Sequence, residues 1–261
     1  MKENKIVRLK DDIKLNNPIL LVGLPGVGHV GKLVAEHLIE ELNAEKIIEI
    51  YSPHFPPQVL VNDDSTIKLV NNEIFSCKAN DKDILILTGD HQSSSTEGHY
   101  ELGDLYLDLA EEFGVSRIYT LGGFPTGQLT HTDGVIGAVN NHDLIEEMEQ
   151  YGIEFKEGEP GGGIVGASGL LLGLSQFRKL DALCVMGFTS GYLVDPKSAQ
   201  FLLGILSKIL GVEIDITPLE ERAKEMEKIA AQLAEMEQQQ RQGQQQFLPD
   251  TSSDEDLRYI G

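Results

Sequence analysis

Pro18-Ile19-Leu20-Leu21-Val22-Gly23, continuing into Leu24-Pro25-Gly26-Val27-Gly28-His29-Val30-Gly31-Lys32, is the stretch that decides the fold. A short aliphatic run stopped by glycine reads as a strand buried on both faces. From Gly28 to Leu42 the apolar residues Val30, Leu33, Val34, Leu38 and Leu42 recur at helical spacing. The strand therefore turns directly into a helix, the opening unit of an α/β sheet.

Working outward, the alternation continues. Lys46 to Tyr51 and Asp83 to Thr88 read as strands, the second ended by Gly89. Between them, Val59 to Val61 and Thr66 to Val70 flank Asn62-Asp63-Asp64-Ser65 as a β-hairpin. Glu101 to Phe113 is an amphipathic helix with Leu102, Leu105, Tyr106, Leu109 and Phe113 on one face, stopped by Gly114. Arg117 to Leu121, Val135 to Val139 and Ala182 to Gly187 read as strands, and His142 to Tyr151 and Ser168 to Phe177 as helices. Asp195 supplies a cap and Pro196 a first-turn proline for a last helix that runs to Leu210 and closes at Gly211. Strands that are apolar on both faces, alternating with helices, predict an α/β fold with a mainly parallel sheet covered by helices.

Residues 1–216 are expected to form this domain. Residues 217–240 continue as a C-terminal helix. Leu219, Met226 and Leu233 share one heptad position there, and Ile229 and Met236 another, which fits a short coiled coil or a helix packed on its own domain. Gln238 to Gln246 is low in complexity, and 241–261 reads as a flexible, disordered acidic tail. That tail ends on Asp256-Leu257-Arg258-Tyr259-Ile260-Gly261, an apolar hook whose solubility cost is explained if another protein binds it.

Asp plus Glu number 42 against 21 Lys plus Arg, a net charge of -21. This argues against nucleic acid and against an anionic membrane surface, both of which call for a basic face. No apolar run has the length of a membrane span. Cys77 and Cys184 are far apart and lack a CxxC, as expected in a reducing cytoplasm. A cytoplasmic location is expected.

Gly26-Val27-Gly28-His29-Val30-Gly31 matches the dinucleotide pattern GxGxxG, with Glu45 and Glu49 near the position of a ribose-binding acid. Gly26 to Lys32 also matches GxxxxGK, but Leu33 stands where a magnesium-holding hydroxyl is needed. Gly161 to Gly166 matches GxGxxG a second time in a chain of 27 glycines, so the pattern is cheap here. Two readings stay open: a tight turn whose backbone packs closely, and a helix start that holds a nucleotide or other anion. His91, Glu97 and His99 lack the spacing of a helical zinc motif. Ser168 and Ser190 lack the context of a nucleophile elbow. No catalytic residue, metal or cofactor is assigned.

Four ordered blocks resemble the PAC2 family, which includes archaeal proteasome assembly chaperone homologues. They are Gly23 to Gly31, Tyr119-Thr120-Leu121-Gly122-Gly123, Gly163 to Leu171, and Gly187 to Gly191 through Asp195-Pro196. The resemblance spans about Pro18 to Glu225. It implies a three-layer α/β domain similar to nucleoside-phosphorylase-like folds, no known catalysis, a homo-oligomer, and contact with the α-subunits of the 20S proteasome. Such contacts use a C-terminal hydrophobic-tyrosine-any motif with a penultimate tyrosine. Here Ile260 is penultimate and Tyr259 stands one place earlier, so Leu257, Tyr259 and Ile260 would be the apolar anchors and Gly261 the carboxylate.

Overall fold

The computed structural model describes residues 1–10, 12–127, 132–226 and 228. The chain divides into two units, Met1–Ala223 and Lys224–Gly261. The second is described only at 224–226 and 228, all helical. The heptad residues Ile229, Leu233 and Met236, the tail 241–261 and the hook residues Leu257, Tyr259, Ile260 and Gly261 lie outside the described residues.

The first unit runs β1 (Lys5–Arg8), β2 (Ile19–Val22), α1 (Val30–Glu41), β3 (Glu45–Tyr51), β4 (Val59–Val61), β5 (Ile67–Leu69), β6 (Asn72–Ala79), β7 (Lys82–Gly89) and α2 (Thr96–Glu112). It continues with β8 (Arg117–Pro125), β9 (Val135–Val139), α3 (Leu144–Glu149), α4 (Ala167–Ser175), β10 (Asp181–Thr189) and α5 (Pro196–Leu210). Eight strands form one sheet in the order β1-β3-β6-β7-β2-β8-β10-β9, and β4 and β5 form a separate hairpin. The centre, β7-β2-β8-β10, is parallel. In register, Leu21 lies between Ile86 and Tyr119. β6, β3 and β1 extend one side in antiparallel fashion, and β9 closes the other. Because β3 is twice reversed from β7, it shares the direction of β2, β7, β8 and β10, so the sheet is mainly parallel by strand direction.

Two strands were not visible in the sequence pattern. β1 (KIVR) and β6 (NEIFSCKA) carry polar residues on both faces and lack the aliphatic runs of the centre. Both pair antiparallel towards the side of the sheet, where one face is only partly covered. The α2 helix begins earlier than its apolar pattern indicates, because Ser95 caps it by accepting from the Gly98 amide at 3.1 Å. In α5 the expected signals act as expected: the Asp195 carboxylate accepts from Ser198 N at 2.9 Å, and Gly211 adopts φ 72° at the C-terminus.

Three layers result. On one face Val30, Val34, Ala35 and Leu38 of α1 and Ala199, Leu202, Leu203 and Leu206 of α5 pack on Leu21, Tyr119 and Leu183. On the other, Leu102, Tyr106, Leu107 and Leu109 of α2 and Leu171 of α4 cover Leu20, Leu85 and Ile118. Leu21, Leu38, Ile86 and Leu107 are fully buried, and each such side chain contributes about 1.5–3 kcal/mol. Leu219 and Ala223 are buried too, and Leu219 belongs to the cluster under α1 and α5. Leu219 is thus committed to the domain's own core. Among the described residues no helix is long and apolar enough to cross a membrane.

Candidate functional site

In the strand order, β2 has β7 on one side and β8 on the other, so the chain switches direction of travel at its carboxyl end. That is where α/β sheets most often bind ligands. The glycine stretch sits there. Gly23 donates to Leu87 O at 2.9 Å and its own carbonyl accepts from Thr88 Oγ at 2.9 Å, so the exit from β2 is pinned to β7. A single 3-10 turn, Val27–His29, then leads into α1. Gly28 has φ 61°, a left-handed conformation that glycine adopts without strain. A Cβ there would also lie 2.8 Å from Thr189 Oγ. At Gly31 the reason for glycine is close approach: a Cβ would lie 2.1 Å from the carbonyl oxygen of Leu121 in β8.

Side chains and backbone from elsewhere complete the closure. Gln92 Nε2 donates to Pro25 O at 2.6 Å, and Gln92 Oε1 accepts from Ala167 N, the first residue of α4, at 2.8 Å. Asp195 N donates to Gly28 O at 2.9 Å. The turn is therefore stitched to the α4 and α5 entrances by ordinary protein hydrogen bonds. Lys32, the residue a phosphate loop would aim at the ligand, instead donates to Gly89 O at 3.0 Å and lies 3.5 Å from Glu36. Leu33, in the place of the magnesium-holding hydroxyl, packs against the α1 and α5 core. The second GxGxxG match, Gly161 to Gly166, follows no strand, and at Gly166, with φ 87°, a Cβ would lie 2.7 Å from Gln92 Oε1. Of the two readings the sequence left open, this geometry is that of the close-packed turn.

The remaining candidates are dispersed. Gln58 Nε2 donates to His91, Glu97 is exposed in the first turn of α2, and His99 follows within that helix. Among the described residues no three His, Cys, Asp or Glu side chains are grouped to hold a metal. Ser168 lies inside α4, where its carbonyl accepts from Thr120. Burial pushes both the Cys77 and Cys184 thiols up to about 11, so each stays protonated and unreactive near neutral pH. Gln92 and His54 also hold the site together. His54 bonds Ser95 Oγ through Nδ1 at 3.1 Å and Glu101 through Nε2 at 2.9 Å, which clasps the 52–58 loop to the start of α2. Neither belongs to a motif, so no spacing signal marks them.

The site lies in a three-layer α/β domain whose switch-point turn is held by Gln92 and by the Asp195 amide, with Gly31 packed close against β8. The chain belongs to the PAC2 family, whose model matches residues 20–234. It is 42% identical to PbaB of Pyrococcus furiosus, described as an archaeal proteasome activator, with a TM-score of 0.84 over 90% of this chain and 100% of that one. PbaA of the same organism, an archaeal homolog of proteasome-assembly chaperone, shares the fold at 24% identity and a TM-score of 0.74, covering 94% and 98% of the two chains. An uncharacterized protein of Methanocaldococcus jannaschii is 39% identical over 254 residues, 97% of this chain and 96% of that protein.

Proposed function

We propose that this chain is a non-enzymatic, ATP-independent proteasome assembly chaperone or adaptor that docks on the 20S α-ring through Leu257, Tyr259, Ile260 and the Gly261 carboxylate. The observation that carries the reading is the similarity to the Pyrococcus activator, which extends over the whole of that chain. The close-packed glycine turn supports it from the other side, since Lys32, which the phosphate-loop form of the nucleoside, nucleotide or anion alternative would aim at its ligand, is already bonded to Gly89 and paired with Glu36.

The chemistry of the terminal residues suits a shallow pocket. Burying a Tyr and an Ile contributes about 1.5–3 kcal/mol each, and a carboxylate adds a charge-assisted bond to a lysine or arginine. Ordering the segment offsets part of this gain. One copy binds weakly, and several copies on a homo-oligomer bind a symmetric ring through effective concentration. The test is binding of full-length and truncated chain to purified 20S particles by surface plasmon resonance. Removal of Tyr259-Ile260-Gly261 weakens binding sharply while the domain stays folded, and Tyr259→Ala does much of the same. Equal affinity of the truncated and full chains refutes the docking mechanism.

A further inference from the structure

The β4–β5 hairpin is built inside out. Its register places Val59 opposite Leu69 and Val61 opposite Ile67 on one face, with Leu60 opposite Lys68 on the other. Leu60 packs onto the α2 side of the core, and Lys68 reaches Glu73 and Asp90 at 3.6 and 3.4 Å. The polar residue is thus turned towards the domain. The wholly aliphatic face points outward: Val59 is 43% exposed, Val61 72%, Ile67 68% and Leu69 56%. An antiparallel ribbon with one face on a core carries polar residues on the other when that face meets water. These four side chains form a ridge on the order of 400 Å², the size at which an apolar patch on a monomer is commonly an interaction site.

We propose that this ridge is where a second copy of the chain docks, ridge against ridge about a two-fold axis. Charge selects the occupant. One residue in four of the chain is charged and the net charge is -21, so two copies repel over most of their surfaces. Residues 51–62 contain no Asp, Glu, Lys or Arg, and the charged residue in 66–72, Lys68, faces inward. Ridge and root are an uncharged window on a polyanion, where two such molecules meet at least electrostatic cost. A basic partner would be drawn to the acidic surfaces instead. The acids of the hairpin, Asp63 and Asp64, stand at its tip. An antiparallel two-fold arrangement lays each tip over the other copy's uncharged root, Pro56-Pro57-Gln58, and keeps the two acidic tips apart. Beside that root, Met1, Tyr51, Phe55, Val59 and Leu69 line a cleft of about 550 Å³ that receives neighbouring side chains. An apolar core on the order of 400 Å² per copy fits the roughly 800 Å² per partner of a standard interface.

The test is the mass of the full chain in solution, measured without proteasome so that failure here is distinct from failure of tail docking. Sedimentation equilibrium of the wild type is expected to give a multiple of 28.7 kDa. The double variant Val61→Glu/Ile67→Glu changes only outward side chains, so circular dichroism should match the wild type. Its association constant should fall at least ~100-fold, because each new carboxylate would have to be desolvated against aliphatic surface. Raising the salt should strengthen wild-type association, as screening removes repulsion between like polyanions. Mixing the Glu variant with Val61→Lys/Ile67→Lys should restore assembly, because the overlapped antiparallel ridges bring the Lys side chains of one copy diagonally within reach of the Glu side chains of the other, and attraction replaces repulsion. A monomeric wild type, a Glu variant of unchanged mass, or a mixture that stays dissociated would each overturn the proposal.

Discussion

Gly31→Ala and Gly26→Ala alter two glycines of the same motif, and the structure assigns a large cost to the first and almost none to the second. At Gly31 the new Cβ would lie 2.1 Å from the Leu121 carbonyl oxygen and 2.6 Å from its carbon. Both atoms belong to the backbone of β8, a central strand hydrogen-bonded to β2 and β10, so they cannot rotate away. Relief requires lifting α1 by roughly 1 Å from the sheet, which loosens Val30, Val34, Ala35 and Leu38 together. Overpacking of a rigid core costs about 3 kcal/mol, at the upper end of the usual range, and the better helix propensity of alanine returns about 1. The net loss is about 2 kcal/mol, or ~4–8 °C in Tm for a domain of this size. Gly26 is extended, at φ -159°, and a Cβ there meets nothing closer than 3.9 Å. Its substitution should stay within ~0.5 kcal/mol of the wild type. Urea unfolding followed by circular dichroism, at a fixed protein concentration, reads both. A Gly31→Ala variant as stable as Gly26→Ala would show that close helix–strand approach is not why the motif is there.

Lys32→Ala should leave the protein without ATPase activity, like the wild type, and lower stability by about 1 kcal/mol through loss of the bond to Gly89; magnesium-dependent turnover that vanishes on this substitution would reinstate the phosphate-loop reading. Alkaline stability should fall as pH rises from about 9 towards 11. The buried Cys184 thiol has its folded pKa raised to about 11, so its contribution is complete below the unfolded value and is lost as the pH approaches the folded one. At 1.36 kcal/mol per unit this is roughly 2–3 kcal/mol, and Cys184→Ala should flatten that part of the pH profile even though its overall stability is lower. In peptide-hydrolysis assays with 20S particles, loss of Tyr259-Ile260-Gly261 should abolish any effect of the full chain; an undiminished effect would place the functional contact elsewhere.

The residues themselves determined the local elements and the family. The aliphatic run Ile19 to Val22, the α1 spacing, the hairpin around Asn62 to Ser65, the Asp195 cap with Pro196, and the Gly211 stop are encoded within a few positions of one another. Periodicity and capping are short-range chemistry and can be read from one chain. The strand order, the antiparallel side containing β1 and β6, and the meaning of the glycine motif were decided only in three dimensions. Gln92 reaches Pro25 across 67 positions and Ala167 across 75. Lys32 meets Gly89 across 57. The same seven residues, Gly26 to Lys32, could cradle a phosphate if those partners were elsewhere. What faces a turn depends on which distant strands are its neighbours, and pairing between distant strands leaves no periodic trace near the turn. The outward aliphatic face of β4 and β5 is a further instance: alternation marks two faces, but only the packed domain decides which of them meets water.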